Sequence, residues 1–367
     1  MISSKIKVAI VGIWNCASSL IQGIEYYKNK GKPEDGEVIG LINNVIGEYS
    51  IDDIEIVAAI DVNINKIWRT ISDAIFVSPN NTIIFSESNS FHNRVIAWPV
   101  MDGISERMNA HIPLHSIQKT ENEWKQMIVD ELLEKDVDIL ISYLPVGAKQ
   151  ASRFYAECAI MAKVAFANAM PEFICSTTER SEKFREVWVP CAWDDIKSQF
   201  WATILHRTIV DLIQKRGLKI DSTYQLNIGW NSDFHNMKDD DRLESKRISK
   251  TEAVTSMAGY SFPVKIWPSD YIPHLQDNKI CYINLKWKQF WDVSFELDLK
   301  LSVEDSPNSA GVMVDVIRLL KLSIDRGLSG YQDFSSYYFK RPAQQLSEDI
   351  SYQIVKNFIS YKSTNEE

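Results

Sequence analysis

Residues 8–20 read VAIVGIWNCASSL, an apolar run that ends at Gly12 and is followed by small polar residues. A continuous apolar run is typical of a strand buried on both faces of a parallel sheet. Glycine after such a strand permits the tight turn into a helix whose first amides face a phosphate. The order predicts a dinucleotide-binding turn, but Trp14 stands where a G-x-G-x-x-A pattern would have its second glycine.

Further apolar runs alternate with helical segments through the first half of the chain. IEIVAAIDV (54–62), VDILISYLPVG (137–147) and VAFANAMP (164–171) are predicted as buried strands. This alternation predicts an α/β fold with a Rossmann-type, doubly wound parallel sheet and a ligand site at the carboxyl ends of its strands. Asp61, at the end of the second strand, is predicted to bind the adenine ribose hydroxyls.

The pattern changes after about residue 215. YQLNIGW, KICYINLKW and VSFELDLKLSVED predict antiparallel strands, and an apolar helical pattern returns from SPNSAGVMVDVIRLLKLSIDRG onward. A chain of 367 residues is long for one core. We therefore predict a Rossmann domain (1–200), an inserted α+β domain for catalysis and oligomerisation (201–309) and a C-terminal segment that returns to the first domain (310–367).

Charge and composition exclude several classes of protein. A formal net charge of -9 argues against a surface for nucleic acid, which needs a basic stripe. Residues 1–12 lack the apolar core of a signal peptide and no apolar run is long enough for a membrane span, so a cytoplasmic protein is expected. Five scattered cysteines and six scattered histidines predict neither disulfides nor a metal site.

Three polar stretches are candidates for a site, and each has a plain structural alternative. In SKRISK, Lys246 and Lys250 share a helix face, which is either a solvated basic face or part of a site. In DSPNSAG (305–311), the side chains of Ser306, Asn308 and Ser309 are predicted to cap a helix whose amides face an anion. In DDIKSQ (194–199), the two carboxylates precede a predicted helix start, where the helix dipole alone would explain them.

These stretches together resemble the short form of the myo-inositol-phosphate synthase family over almost the whole chain. The matching segments are VAIVG-x-x-NCASSL, SDAIF-x-S-x-NNT, DILISYLPVG, FANAMPEFI, DDIKSQ, RLESKRISKTEAVTS, EDSPNSAGV and YYFKRP. The resemblance implies an isomerase of inositol and phospholipid biosynthesis that converts glucose 6-phosphate to 1L-myo-inositol 1-phosphate. It implies tightly held NAD, which takes a hydride from C5 and returns it after aldol closure, and a homotetramer. Some family members are assisted by a divalent cation.

The same resemblance implies two groups of site residues. The cofactor-binding group comprises Gly12, Trp14, Asn15, Cys16, Ala17, Asp61, Ser142, Asn168 and Asp195. The catalytic group comprises Lys246, Lys250, Lys279, Lys340, Asp305, Asp233 and Asn227. Within the catalytic group, Lys340 with Asp305 is expected to handle the C5 hydroxyl proton. Lys246 and Lys279 are expected to serve the enolate and the C1 aldehyde oxygen, and Lys250 the phosphate, because compact ammonium groups stabilise anions.

The chain departs from the family chiefly at tryptophan. Ten of its 11 tryptophans align with family glycines, and only Trp124 looks ordinary. The ten are Trp14, Trp68, Trp98, Trp188, Trp193, Trp201, Trp230, Trp267, Trp287 and Trp291. Glycine, with 14 residues, has about half its usual share. We hypothesise that a stop-type codon used as glycine by the source has been translated as tryptophan.

Two other functions remain open at this stage. Another Rossmann sugar-phosphate oxidoreductase would turn over NAD and release NADH. A non-catalytic relative, with tryptophans as written, would be unable to bind NAD because Trp14 blocks the pyrophosphate turn. The retention of four lysines matching the family's active site favours the synthase over both.

Overall fold

The computed structural model describes residues 5–30, 38–87, 90–104, 109, 112–174, 178–229 and 244–361. Two residues named above, Asp233 and Trp230, lie outside these ranges. For Lys246 the structure describes the helical backbone but not the side chain. None of the helices in the described ranges has the length and apolar character that crossing a bilayer requires.

A parallel sheet of seven strands forms the first layer of the molecule. Its order is β11-β6-β5-β4-β1-β2-β3, so the strand order reverses between β1 and β4. Such a reversal opens a crevice at the carboxyl ends of the strands, where ligands bind in this architecture. The strands are β1 (Ile6–Val11), β2 (Ile54–Asp61), β3 (Val95–Ala97), β4 (Ile139–Ser142), β5 (Ala165–Asn168), β6 (Pro190–Ala192) and β11 (Gly330–Tyr331).

Helices cover both faces of this sheet, which confirms the predicted doubly wound fold. Within the described ranges, the helices are α1 (Asn15–Lys30), α2 (Ile71–Ala74), α3 (Glu121–Glu134), α4 (Lys149–Ala162), α5 (Thr178–Glu186), α6 (Ala202–Lys215), α7 (Glu244–Thr255), α8 (Asp305–Asp325), α9 (Ser335–Tyr338) and α10 (Glu348–Ser360). Two neighbours in β1 illustrate the division: Ile10 belongs to the core shared with α1 and α8, whereas Val11 belongs to the core shared with α3 and α4. Because both faces are buried, the strand is almost entirely apolar.

A second sheet of four strands has the order β10-β9-β7-β8. Its strands are β7 (Lys219–Gly229), β8 (Val264–Tyr271), β9 (Asn278–Lys288) and β10 (Ser294–Glu304). β9 is antiparallel to both β7 and β10, as the alternation predicted, but β8 is parallel to β7. The segment between β7 and β8 includes α7, and a crossover of that kind is what a parallel pair requires. Helices α6 and α7 pack on one face of this sheet.

α1 begins at Asn15, and the Ser18 amide already bonds the Trp14 carbonyl at 2.9 Å. One predicted helix start differs from the observed one. The DDIKSQ carboxylates do not precede a helix directly, since α6 begins only at Ala202. Instead this stretch pairs with the end of the chain, where the Lys340 amide bonds the Asp195 carbonyl at 2.8 Å.

The end of α5 has a backbone geometry that favours glycine. The amide of Trp188 bonds the Arg185 carbonyl and the next amide bonds the Phe184 carbonyl, a Schellman motif with φ of 62° at Trp188. α6 and α8 end in the same way on Gly217 and Gly327. The ends of α3 and α4 carry Asp136 and Lys163 at this position. Tryptophan is the bulkiest residue that could stand there.

Two more tryptophans have the left-handed conformation. Trp68 has φ of 67°, and Trp291 has φ of 63° beside Asp292 at 55° in the turn between β9 and β10. Two consecutive residues with positive φ are the signature of a type I′ hairpin turn, which glycine favours. The side chains of Trp68, Trp188 and Trp291 are 60%, 78% and 85% exposed, so packing does not offset the backbone strain. These positions support the hypothesis that the family glycines are the native residues.

We expect Trp188→Gly to raise the free energy of unfolding of the chain as printed by about 1 kcal/mol. The left-handed conformation costs a bulky residue roughly 1–2 kcal/mol, and an exposed indole contributes little packing. Urea unfolding measures the change. Trp124→Gly is the matched control and should destabilise by several kcal/mol, because Trp124 is buried within α3. A lower midpoint for Trp188→Gly than for the parent would contradict the strain argument.

Candidate active site

The turn after β1 has the geometry of a cofactor cradle. Gly12 has φ of +88°, and a Cβ placed on it would lie 2.7 Å from the Tyr143 carbonyl oxygen, so no other residue fits. The Ile13 amide donates to the Asp61 carboxylate at 2.9 Å, and the Asn63 amide donates to its other oxygen at 2.8 Å. Asp61 is fully buried. The carboxylate therefore holds the turn in shape, and its contact with ribose stays a prediction.

Trp14 fills the space beside this turn. Its side chain is buried, the Lys66 ammonium lies 4.4 Å from the ring centroid, and the indole nitrogen has no hydrogen-bond partner within the described residues. Burial lowers the pKa of Lys66 to about 8. Backbone must approach the pyrophosphate at this position, and an indole prevents that approach. The cradle fits a dinucleotide with glycine at position 14 and does not fit one with tryptophan.

Asn15 joins the cradle to the second sheet. Its amide nitrogen donates to Asn81 at 2.6 Å and to Asp277 at 3.2 Å, while its oxygen accepts from the Asn81 amide at 2.8 Å. Cys16 lies against the start of α8, with its sulfur 3.9 Å from the Ser306 hydroxyl. Ala17 is buried in the core beneath. The first turn of α1 thus lies where the two sheets meet.

Two more cofactor-binding candidates end neighbouring strands of the parallel sheet. Ser142 ends β4, is fully buried, and its hydroxyl has no partner within the described residues. A buried hydroxyl of this kind is available to a polar ligand. Asn168 ends β5, but its amide is engaged by the Glu172 carbonyl at 2.8 Å and the Asp194 carboxylate at 2.7 Å. Asn168 therefore shapes the loop that follows it.

Asp195 and Lys340 form a buried ion pair. Lys340 Nζ lies 2.7 Å from one Asp195 oxygen and donates to the Ile196 carbonyl at 2.7 Å. The other Asp195 oxygen accepts from the Ser249 hydroxyl at 2.6 Å. The resemblance implies a cofactor role for Asp195 and a pair between Lys340 and Asp305, so the observed partner of Lys340 differs from the expected one.

Asp305 lies instead beside Lys279. Lys279 Nζ is 2.8 Å from Asp305 Oδ2, in an ion pair that is largely buried. Lys279 is the second residue of β9 and Asp305 is the first of α8, and the register of β9 with β10 brings these two element ends together. The chain reversal between them is why residues 26 apart in sequence meet.

Lys250 and Asn227 lie close to this pair. Lys250, on α7, is buried, so the alternative of a solvated basic face is wrong for it. Burial raises the pKa of the Cys281 thiol to about 12, against the opposing effect of the Lys250 and Lys279 charges. Asn227 pairs with Cys281 across β7 and β9, and its amide donates to the Trp267 carbonyl at 3.0 Å. Lys250 and Lys279 therefore lie near the same thiol, and Lys340 is linked to the helix that carries Lys250 through Asp195 and Ser249.

Asp277 is a site residue that the sequence analysis missed. It accepts from the Ser306 amide at 3.1 Å and the Ser306 hydroxyl at 2.9 Å, besides Asn15. Burial and the neighbouring Asp305 carboxylate raise its pKa to about 7. Its carboxylate thus takes the place at the start of α8 where an external anion was expected. Asn308, expected to cap this helix, bonds the backbone of Phe200 instead.

No three His, Cys, Asp or Glu side chains in the described ranges converge in a way that would hold a metal ion. Among the described residues, Cys158, Cys191 and Cys281 are buried free thiols.

Comparison with known proteins identifies the family to which this chain is similar. The family model described as myo-inositol-1-phosphate synthase matches residues 202–306. An inositol-3-phosphate synthase of Mycobacterium tuberculosis is 45% identical over 97% of this chain and 96% of that protein. An inositol-3-phosphate synthase of Corynebacterium glutamicum is 42% identical over 98% of this chain and 99% of that protein. A myo-inositol-1-phosphate synthase-related protein from Thermotoga maritima shares the fold, with a TM-score of 0.84 and 24% identity over 98% of this chain and 99% of that one.

We expect Asp277→Asn to remove a pH dependence of stability. A carboxyl whose pKa is raised to about 7 in the folded chain binds more protons than it does when unfolded, so stability falls as pH rises from about 4 to 7. The variant should therefore gain stability relative to the parent on going from pH 5 to pH 7.5, by an amount on the order of a few kcal/mol. Melting temperatures at both pH values measure this gain.

The control is Asp221→Asn, which removes an exposed carboxylate from β7. That variant should follow the parent at both pH values. If the melting temperatures of Asp277→Asn and the parent differ by the same amount at both pH values, Asp277 is ionised throughout this range.

Proposed function

Because this chain belongs to the myo-inositol-phosphate synthase family, we propose that it converts glucose 6-phosphate to 1L-myo-inositol 1-phosphate with bound NAD and no net oxidation. The observation that carries the proposal is the set of buried lysines Lys250, Lys279 and Lys340. Lys279 pairs with the partly buried Asp305, and Lys340 pairs with the buried Asp195. Several ammonium groups at one place suit a substrate that carries a phosphate and passes through oxyanions.

The cofactor would lie along the cradle at Gly12, Asn15 and position 14, with its nicotinamide end toward Ser142. Bound there, NAD would accept a hydride from C5 of the sugar and return it. The open Ser142 hydroxyl would orient it, and Asp61 would keep the turn in the shape that binding requires. The proposed reaction uses no metal ion.

Each lysine has a proposed task. Lys340 would take the proton of the C5 hydroxyl in its neutral amine form, with the nitrogen held in place by its hydrogen bonds to Asp195 and the Ile196 carbonyl. Lys279, held by Asp305, would stabilise the enolate oxygen or the C1 aldehyde oxygen, together with Lys246. Lys250 would bind the phosphate, with Asn227 as a further polar contact. Asp233 is proposed as a catalytic residue from the resemblance alone.

We also propose that the ten aligned tryptophans are glycine in the protein that the source makes. Three of the nine that the structure describes have positive φ, and Trp14 occupies the cradle. The Trp201 indole nitrogen, like that of Trp14, is buried without a partner among the described residues. Tandem mass spectrometry of native protein tests this: peptide VAIVGIWNCASSLIQGIEYYK should carry glycine at 14, and TENEWK should retain tryptophan. Tryptophan in both peptides would reject it.

We expect Trp14→Gly to restore NAD binding that the chain as printed lacks, because the indole is removed from the pyrophosphate position. Calorimetry measures the binding, and product analysis measures formation of inositol phosphate from glucose 6-phosphate without free NADH. Trp188→Gly is the matched control, since it makes the same change far from the cradle and should leave NAD binding absent.

Other outcomes select the other functions. Accumulation of NADH with substrate would indicate an oxidoreductase with net turnover. Failure of native protein to bind NAD would indicate a non-catalytic relative.

We propose that the enzyme is a homotetramer that acts in the cytoplasm, where buried free thiols stay reduced. β10 is an edge strand of the second sheet, and an uncovered edge normally pairs or is protected. The sheet face opposite α6 and α7 presents Tyr224 and Tyr282, each about two-fifths exposed. Light scattering should give the mass of four chains, and Tyr282→Glu should lower it. A monomer at assay concentrations would contradict the proposal.

A further inference from the structure

The Ser249 hydroxyl connects α7, which packs on the second sheet, to a segment that follows the parallel sheet. The helix does not require this hydrogen bond for its own structure. Ser249 is fully buried in α7, and its oxygen donates to Asp195 Oδ2 at 2.6 Å. A serine inside a helix usually faces solvent or bonds the carbonyl four residues earlier. Thr255 of the same helix does the latter, donating to the Thr251 carbonyl at 3.0 Å. Ser249 instead reaches a segment that belongs to the cofactor side of the site.

Asp195 is held firmly on its own side. Its amide bonds the Met170 carbonyl at 2.8 Å, its carbonyl accepts the Lys340 amide at 2.8 Å, and its φ is 62°. With the backbone fixed, the carboxylate can still rotate about its side-chain bonds. One oxygen is fixed by Lys340 and the other by Ser249, so the two contacts together define the plane of the carboxylate.

The position of Ser249 along α7 gives this contact a second effect. It lies one residue before Lys250 and three after Lys246, so a hydrogen bond at Ser249 sets the rotation of the helix that carries both lysines. A neutral hydroxyl that donates to a carboxylate adds no charge and need not exchange a proton with substrate. Its effect is on orientation.

We propose that Ser249 is a positioning residue for the isomerisation: it aligns Asp195 with Lys340 and docks α7 so that Lys250 faces the sugar phosphate. The inference rests on the proposed function and adds a residue to it. Loss of the hydroxyl leaves the Asp195 oxygen, which is buried, without its donor. The lysines are then held less precisely relative to the substrate, and misplacement on the scale of 1 Å costs about 100-fold in rate.

The test uses the full-length protein with glycine at position 14 and compares Ser249→Ala with Thr255→Ala. Steady-state assays with glucose 6-phosphate should give a kcat lower by about 10- to 100-fold for Ser249→Ala, with KM changed less than about threefold. Thr255→Ala removes a hydroxyl from the same helix and should retain kcat. Ser249→Thr keeps the donor and should recover most of the loss, whereas Ser249→Cys keeps the volume, weakens the donor and should not.

A second measurement separates this inference from the proposed function. Hydrogen exchange at the amides of residues 247–255 should become faster in Ser249→Ala than in Thr255→Ala, whether or not the parent isomerises glucose 6-phosphate. An inactive parent with this change in exchange would reject the function and keep the contact. An active parent whose Ser249→Ala variant has full kcat and unchanged exchange would overturn the inference.

Discussion

The junction between the two sheets depends on a buried carboxylate, Asp277, that accepts hydrogen bonds from both sides. Asn15 approaches it from the cradle after β1, and the amide and hydroxyl of Ser306 approach it from the start of α8. Burial of a carboxylate is costly unless hydrogen bonds compensate, and these donors do so only when the two halves are correctly placed. The same placement brings Lys279 against Asp305 at the first residue of α8. Cofactor cradle and lysine site are therefore parts of one packing arrangement.

A second buried carboxylate, Asp195, also joins the segment after the parallel sheet to the helix of the second sheet. Asp195 binds Lys340 from the C-terminal part of the chain and Ser249 from the helix that carries Lys250. Asp305 lies beside Lys279 rather than beside Lys340, the lysine that the resemblance suggested for it. The partners of these lysines are set by which strand and helix ends meet.

The tryptophans illustrate how backbone conformation constrains residue identity independently of sequence comparison. Schellman geometry closes the ends of α5, α6 and α8 alike, yet the left-handed residue is Trp188 in the first and glycine in the other two. At Gly12 the constraint is a contact of 2.7 Å with a carbonyl oxygen, so a side chain is excluded by space as well as by φ. Position 14 differs from both, because the indole there is accommodated in the folded chain and conflicts only with a ligand.

The sequence by itself determined the class of fold and the family. Apolar runs such as β1 and β2 predict buried parallel strands because they have no polar face, and Gly12 marks the turn because only glycine suits it. The motifs also indicated the family, and they predict which lysines form the site. Only the tertiary structure decided that Asp61 holds the turn, that Lys340 pairs with Asp195 across 145 residues of chain, and that β8 runs parallel to β7. It also revealed Asp277 and Ser249 as parts of the junction. Hydrogen bonds and ion pairs have a reach of about 3 Å, so partners distant in sequence are fixed by the packing of whole elements rather than by any local pattern.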